Sequence, residues 1–205
     1  METETHVRIA QKSIELANNK IISEYDSIIL KGCFNEDFWS IFNFKIGIPV
    51  LTHFYSPIKH KGFWFFKNAK KKALKLFNKS IKLYKLGKKK KSFYELGRSI
   101  HLLSDLATPA HTKLIRHYFQ KDALEHYAEQ VKLPVFDFIR INKEKVEDFF
   151  EEIANLSYKF GVLKVKDLKD KNKFNLIENQ HKALITNAII STTSLLLFFI
   201  DEIKE

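Results

Sequence analysis

Cross-linking and turn-forming residues are scarce in this chain, which has 1 cysteine, 4 prolines and 6 glycines in 205 residues. A lone cysteine, Cys33, cannot build an intramolecular disulfide framework, so the fold is not stapled, and the redox compartment stays open. The same scarcity excludes a thiolate-rich metal site, so any bound metal has to be held by imidazole and carboxylate, a ligand set that suits zinc. So few glycines and prolines leave little turn chemistry for a many-stranded sheet and favour a helical bundle. The amino end, Met1-Glu-Thr-Glu-Thr-His6, is acidic and lacks the apolar stretch of a secretory signal. No signal peptide is therefore seen, and the location is cytoplasmic or not encoded there.

What is present points to one all-α domain over residues 1–205. A hydrophobic share of 45% is enough for a sizeable core at this length, and neither an internal repeat nor a domain boundary is visible. Thr3 or Thr5 caps a first helix whose apolar side runs through Val7, Ile9, Ala10, Ile14, Ala17 and Ile21. Asn35-Glu36-Asp37, after Gly32, reads as a loop or short turn, and 46–57 as an irregular apolar connection containing Pro49. Helices are expected over 67–86, 92–107, 114–131, 143–160 and 176–204, the fourth capped by Asn142, with 161–175 as the most mobile linker. The longest apolar run, 183–200, approaches the length of a membrane span. Thr186, Asn187, Ser191, Thr192, Thr193 and Ser194 make it too polar for that and favour a helix packed in the core.

The formal charge of +11 is unevenly placed, with twelve lysines between Lys67 and Lys91, four of them consecutive from Lys88. Such a run attracts polyanions, whether nucleic acid, anionic lipid headgroups or acidic partners. Phe66, Ala69, Ala73, Phe77, Ile81 and Tyr84 keep helical spacing beneath it, so a solvated helix face accounts for the lysines as well. No protein partner is identifiable.

The eight histidines carry more chemistry, above all in His101-Leu-Leu-Ser-Asp105-Leu-Ala-Thr-Pro109-Ala-His111. On a helix, His101 and Asp105 share a face and can grip one cation, while Pro109 ends the helix and brings His111 round to it. Singly, His6 reads as an exposed first-turn residue, His53 as a core histidine, Asp37 as a loop residue and His101 with Asp105 as an ordinary ion pair. Together they make a metal cage the better reading. His60 and His181 fit no pattern and read as structural. Gly97, one turn before His101, would admit a close neighbour. Phe63, Trp64, Phe65 and Phe66 would pack in the core, or else wall a substrate cleft or face a membrane.

Thr5-His6, Glu36-Asp37, Thr52-His53-Phe54-Tyr55-Ser56-Pro57, then His101-x3-Asp105-x5-His111 with Pro109 two residues ahead of the last histidine, and finally Glu125, resemble the zinc-dependent phospholipase C family over roughly residues 5–130. That family shares its helical fold with single-strand-specific fungal nucleases that use three zinc ions. The resemblance implies two or three zinc ions in this chain. Asp37, His53, His101 and Asp105 would hold one, Asp105 would bridge to a second bound by His6, and His111 with Glu125 would hold the third. Four residues before Glu125, where the family has a histidine, stands Lys121, and an ammonium cannot ligate. His117, two helical turns before Glu125, or His126 would take that place. The amino group of a processed tryptophan, a ligand in secreted members, has no counterpart ahead of Thr5-His6, since Met1 is only five residues before His6.

Such a cluster lowers the pKa of water, neutralises phosphoryl oxygens and stabilises a leaving oxygen. Asp37 would also orient or deprotonate the attacking water. The implied activity is a metal-dependent phosphoric diester hydrolase acting on phospholipid, with transient contact to an anionic membrane surface. One alternative is a single-strand nuclease with the same metals and nucleic acid as partner. The other is a non-catalytic metal-binding relative with a degenerate site.

Overall fold

A computed structural model describes residues 3–44, 51–63, 67–115 and 122–204. The described residues form nine α-helices and two short 3-10 turns, Leu51–His53 and Val165–Lys169. Among them extended pairing is limited to two isolated bridges, Ser56 with Lys61 and Asp122 with Lys164. The all-α expectation holds.

α1 (Thr3–Ala17) buries Ile9, Ala10, Ile14 and Ala17 at helical spacing. It stops four residues earlier than its apolar pattern suggests, because Asn18 takes a left-handed φ of 42°, a conformation asparagine tolerates better than most residues. Asn19 then accepts hydrogen bonds from the amides of Ile21 at 3.0 Å and Ile22 at 3.3 Å, starting α2 (Lys20–Glu24). α3 (Asp26–Phe44) runs straight through Asn35-Glu36-Asp37, so the expected loop there is a helix. Gly32 is no break in it. A Cβ on Gly32 would stand 2.1 Å from the Tyr94 carbonyl oxygen, so the glycine marks a close helix crossing instead.

α4 (Ala69–Lys85) and α5 (Lys89–Asp105) form an antiparallel pair, and α5 lies between α4 and α3 with an almost continuous buried stretch from Ser99 to Asp105. Lys71, Lys75, Lys79, Lys82 and Lys85 of α4 stay on its outer side above buried Ala69, Ala73 and Phe77, which agrees with the solvated-face reading, while Lys70 and Lys72 turn inward to Glu151 and Glu36. α5 ends at Asp105 before Pro109 is reached, and Pro109 opens a separate short helix, α6 (Pro109–Thr112), a place where its missing N–H costs nothing. The helix expected over 114–131 is described only as α7 (Ala123–Gln130), started by the Asp122 carboxylate. α8 (Val146–Tyr158) begins after Lys145, so Asn142 does not cap it. Residues 132–142 carry no regular secondary structure ahead of that helix.

α9 (Lys171–Glu202) starts five residues before its expected position because Asp170 accepts from the amides of Asn172 and Lys173. The segment 161–175 thus holds a 3-10 turn and the first turn of α9. By length and composition α9 is apolar enough to cross a membrane, yet 67% of its apolar window is buried inside the fold. Two of its buried polar residues are accommodated there: Thr193 donates to the Ile189 carbonyl at 2.7 Å, and Ser194 accepts from the Ile141 amide at 2.9 Å. α9 is the expected core helix.

His181, on α9, is buried against Tyr127. Burial, reinforced by the Arg8 charge, pulls its pKa down to about 4 from 6.5. Between those values the unfolded chain binds a proton that the folded chain refuses, so stability falls as pH drops through that window. His181→Leu is expected to flatten the dependence of melting temperature on pH between 6.5 and 4. Parallel slopes for the two proteins would contradict this.

Candidate metal centre

Asp105 is the hub. Placed on the last turn of α5 and 1% exposed, its carboxylate faces four imidazoles: His53 Nδ1 at 2.7 Å, His6 Nε2 at 3.2 Å, His101 Nε2 at 3.4 Å and His111 Nδ1 at 3.6 Å. These come from the turn Leu51–His53, α1, α5 itself and α6. Asp37, from α3, brings Oδ1 to 3.3 Å from His101 Nε2 and 3.8 Å from His53 Nδ1, while its Oδ2 accepts from the Thr3 hydroxyl at 2.8 Å. Glu125, in the first turn of α7, lies 3.5 Å from His111 Nε2.

α3 and α5 approach this closely because of paired glycines. A Cβ on Gly97 would lie 2.1 Å from the Ile29 carbonyl oxygen, mirroring Gly32 against Tyr94. The close neighbour expected at Gly97 is therefore α3, and this contact sets Asp37 beside His101.

Outer partners fix the ring orientations. Ser104 Oγ donates to the His101 carbonyl at 2.8 Å, so its oxygen accepts from His6 Nδ1 at 2.5 Å, and His6 turns Nε2 inward. His111 Nδ1 donates to the His53 carbonyl at 3.0 Å, which leaves Nε2 as its lone-pair nitrogen.

Burial opposes ionisation of both aspartates, but the surrounding imidazoles outweigh it and hold both carboxyls below the usual carboxylate range. For His101 burial favours the neutral ring, and Asp37 and Asp105 reverse this, raising its pKa well above the ordinary value. Burial and repulsion from His101 lower His6 to about 4, so it stays a neutral ligand-type imidazole.

A divalent ion fits this donor set. Both ring nitrogens of His53 and of His101, together with Asp105 Oδ2, are buried and crowd one another without a hydrogen bond of good geometry, a costly state for polar atoms that a cation between them would satisfy. Two triads have ligand atoms within 4.8 Å of one another: His6 with Asp37 and His101, and His53 with His101 and Asp105. Nitrogen and carboxylate oxygen in such numbers suit zinc.

Of the residues expected at the site, the fold gathers His6, Asp37, His53, His101, Asp105, His111 and Glu125. His6 meets Asp37 and His101 as well as Asp105. His117 and Lys121 lie outside the described residues, as do Trp64, Phe65 and Phe66. His126 contacts Gln130 at 2.9 Å on an exposed side of α7. His60 contacts the Tyr55 hydroxyl at 3.3 Å, a structural role. Glu36, Ser104 and Thr3 were not foreseen as partners. The Glu36-Asp37 pair and the Ser104-Asp105 neighbours were the available signals.

A family profile described as zinc dependent phospholipase C matches residues 5–189, farther than the motifs alone reach. A phospholipase C of Listeria monocytogenes is 32% identical over 91 residues, 44% of this chain and 31% of that protein. The alpha toxin from Clostridium absonum superposes with a TM-score of 0.68 at 14% identity, over 99% of this chain and 64% of the toxin. A Clostridium perfringens alpha-toxin from an avian strain gives 0.63 at 15% identity, over 97% and 63%. The chain spans about a third of the matched Listeria protein and just under two thirds of the toxins, and the likeness to the toxins is one of fold. Residues 5–189 matching one profile, with the histidine and carboxylate cage assembled inside them, make this chain a member of the zinc-dependent phospholipase C family.

Proposed function

We propose that the chain hydrolyses phosphodiesters with two or three zinc ions, and that its substrate is a phospholipid. The observation that carries this is one buried carboxylate, Asp105, meeting four imidazoles within 3.6 Å. Zinc held there supplies Lewis acidity toward water and the phosphoryl oxygens. In this reading His53, His101, Asp37 and Asp105 hold one ion, His6 and Asp105 a second, and His111 with Glu125 a third. With the Thr3 hydroxyl on Oδ2, Asp37 would hold its ion through the inward Oδ1, and its carboxylate would orient the attacking water.

A basic surface supports the anionic membrane contact. Lys31, Lys79, Lys88, Lys90 and Lys91 line an open groove of about 700 Å³ with Tyr94, and such a field raises the encounter rate with negatively charged assemblies. Single-stranded nucleic acid is the second reading that this groove favours.

A soluble chromogenic phosphodiester is expected to be cleaved, with activity abolished by a chelator and restored by zinc. Phosphatidylcholine vesicles are expected to be hydrolysed and single-stranded oligonucleotides spared. Cleavage of the oligonucleotide alone would replace the lipid reading, and chelator-resistant activity would remove the metal from the chemistry.

A further inference from the structure

Glu36 is fully buried yet lies next to, rather than inside, the cluster of groups around Asp105. Its Oε2 accepts from Arg98 Nε at 2.7 Å, and its Oε1 pairs with the Lys72 ammonium. Lys72 in turn donates to the Thr52 hydroxyl at 3.1 Å, beside His53. The same Oε1 is 3.8 Å from His53 Nε2. His53 differs from His6 and His111 in ring orientation. Its Nδ1 faces the cage, at 2.7 Å from Asp105 and 3.8 Å from Asp37, so Nε2 is the nitrogen left outside. Among the charged groups paired with His53, the carboxylate on that outer side is Glu36.

We infer that Glu36 is a positioning residue that accepts the Nε2 proton of His53 and so fixes His53 as an Nδ1 ligand. The inference rests on the zinc reading of the site. A metal-bound imidazole gains basicity and a fixed tautomer when its second nitrogen donates to a carboxylate. His6 has Ser104 for this purpose and His111 has a backbone carbonyl. Glu36 gives His53 the corresponding partner, and a charged one. Lys72 and Arg98 stabilise its ionised form against burial, which alone would favour the neutral acid, and its carboxyl is held below the usual range. Besides joining α3, α4 and α5, the ion pair keeps Oε1 within 3.8 Å of the His53 ring nitrogen that faces away from Asp105.

The test is zinc affinity, measured by competition with a chromophoric chelator on the full chain, together with the ring nitrogen chemical shifts of His53 in the zinc-loaded protein. Glu36→Gln keeps the shape and removes the charge. It is expected to lower affinity about 10-fold to 100-fold and to move the His53 Nε2 resonance while helicity is kept. Lys72→Met, which leaves Arg98 on Glu36, is expected to hold affinity at or above that of the unsubstituted chain. Unchanged affinity and unchanged His53 shifts in folded Glu36→Gln would overturn the inference. So would an equal loss in Lys72→Met, which would mark the network as structural support. If the unsubstituted chain takes up no zinc, the zinc reading itself fails and this inference with it.

Discussion

Asp105→Asn is expected to hold about one zinc ion or none and to hydrolyse a soluble phosphodiester more than about 100-fold more slowly than the unsubstituted chain, beyond the range that loss of an outer partner produces. Four imidazoles converge on this one carboxylate within 3.6 Å, and an amide can neither bridge two cations nor offset their charge. The change is nearly isosteric, so helix content should survive, with the metal-free protein losing about 1–3 kcal/mol from the buried polar groups left unmatched. Metal content after purification without chelator, measured beside kcat/KM, decides the matter. Two or more zinc ions per chain in the variant would show that Asp105 is not the hub.

The second large effect arises away from any ligand. Gly97→Ala is expected to cost about 3 kcal/mol, at the upper end for overpacking, or roughly 6–12 °C in Tm for a chain of this size. The new Cβ would meet the Ile29 carbonyl oxygen at 2.1 Å and its carbon at 2.9 Å. Backbone atoms cannot rotate aside as a flexible side chain can, so α3 and α5 must separate. Asp37 and His101 ride on those two helices, so zinc affinity is expected to fall along with stability although Gly97 touches no ligand. Gly161 is the control. Nothing lies within 4 Å of its added Cβ, and Gly161→Ala is expected to stay within about 0.5 kcal/mol. A Gly97→Ala protein as stable as that control would refute the crossing argument.

The pair His101 and Asp105 was legible in the sequence because helical spacing puts both on one face, and α5 does present them so. The wider cage was legible only through an ordered set of motifs, since no periodicity links His6 to Asp37 or His53 to Glu125. Local signals misled where a residue had two uses. Gly32 reads as a chain break but serves a helix crossing, so Glu36 and Asp37 were expected on a loop rather than on α3. Asn142 has the chemistry of a cap without the position, and Asn18 ended α1 through a backbone conformation that the apolar pattern of 7–21 cannot register. Ser104 and Glu36 escaped notice as partners because an outer hydrogen bond depends on which ring nitrogen faces inward, a matter of side-chain geometry alone.

The groups that meet at Asp105 are spread along the chain from His6 to Glu125, carried by five helices and one 3-10 turn. No short stretch holds enough of them to chelate an ion tightly, and closing such long loops carries an entropy cost that must be met by the collapse of the bundle. Metal capture is thus tied to late folding. In this reading no ion has its full set of ligands until Asp105 has been synthesised and packed against the earlier segments, so an immature chain is expected to hold zinc only weakly.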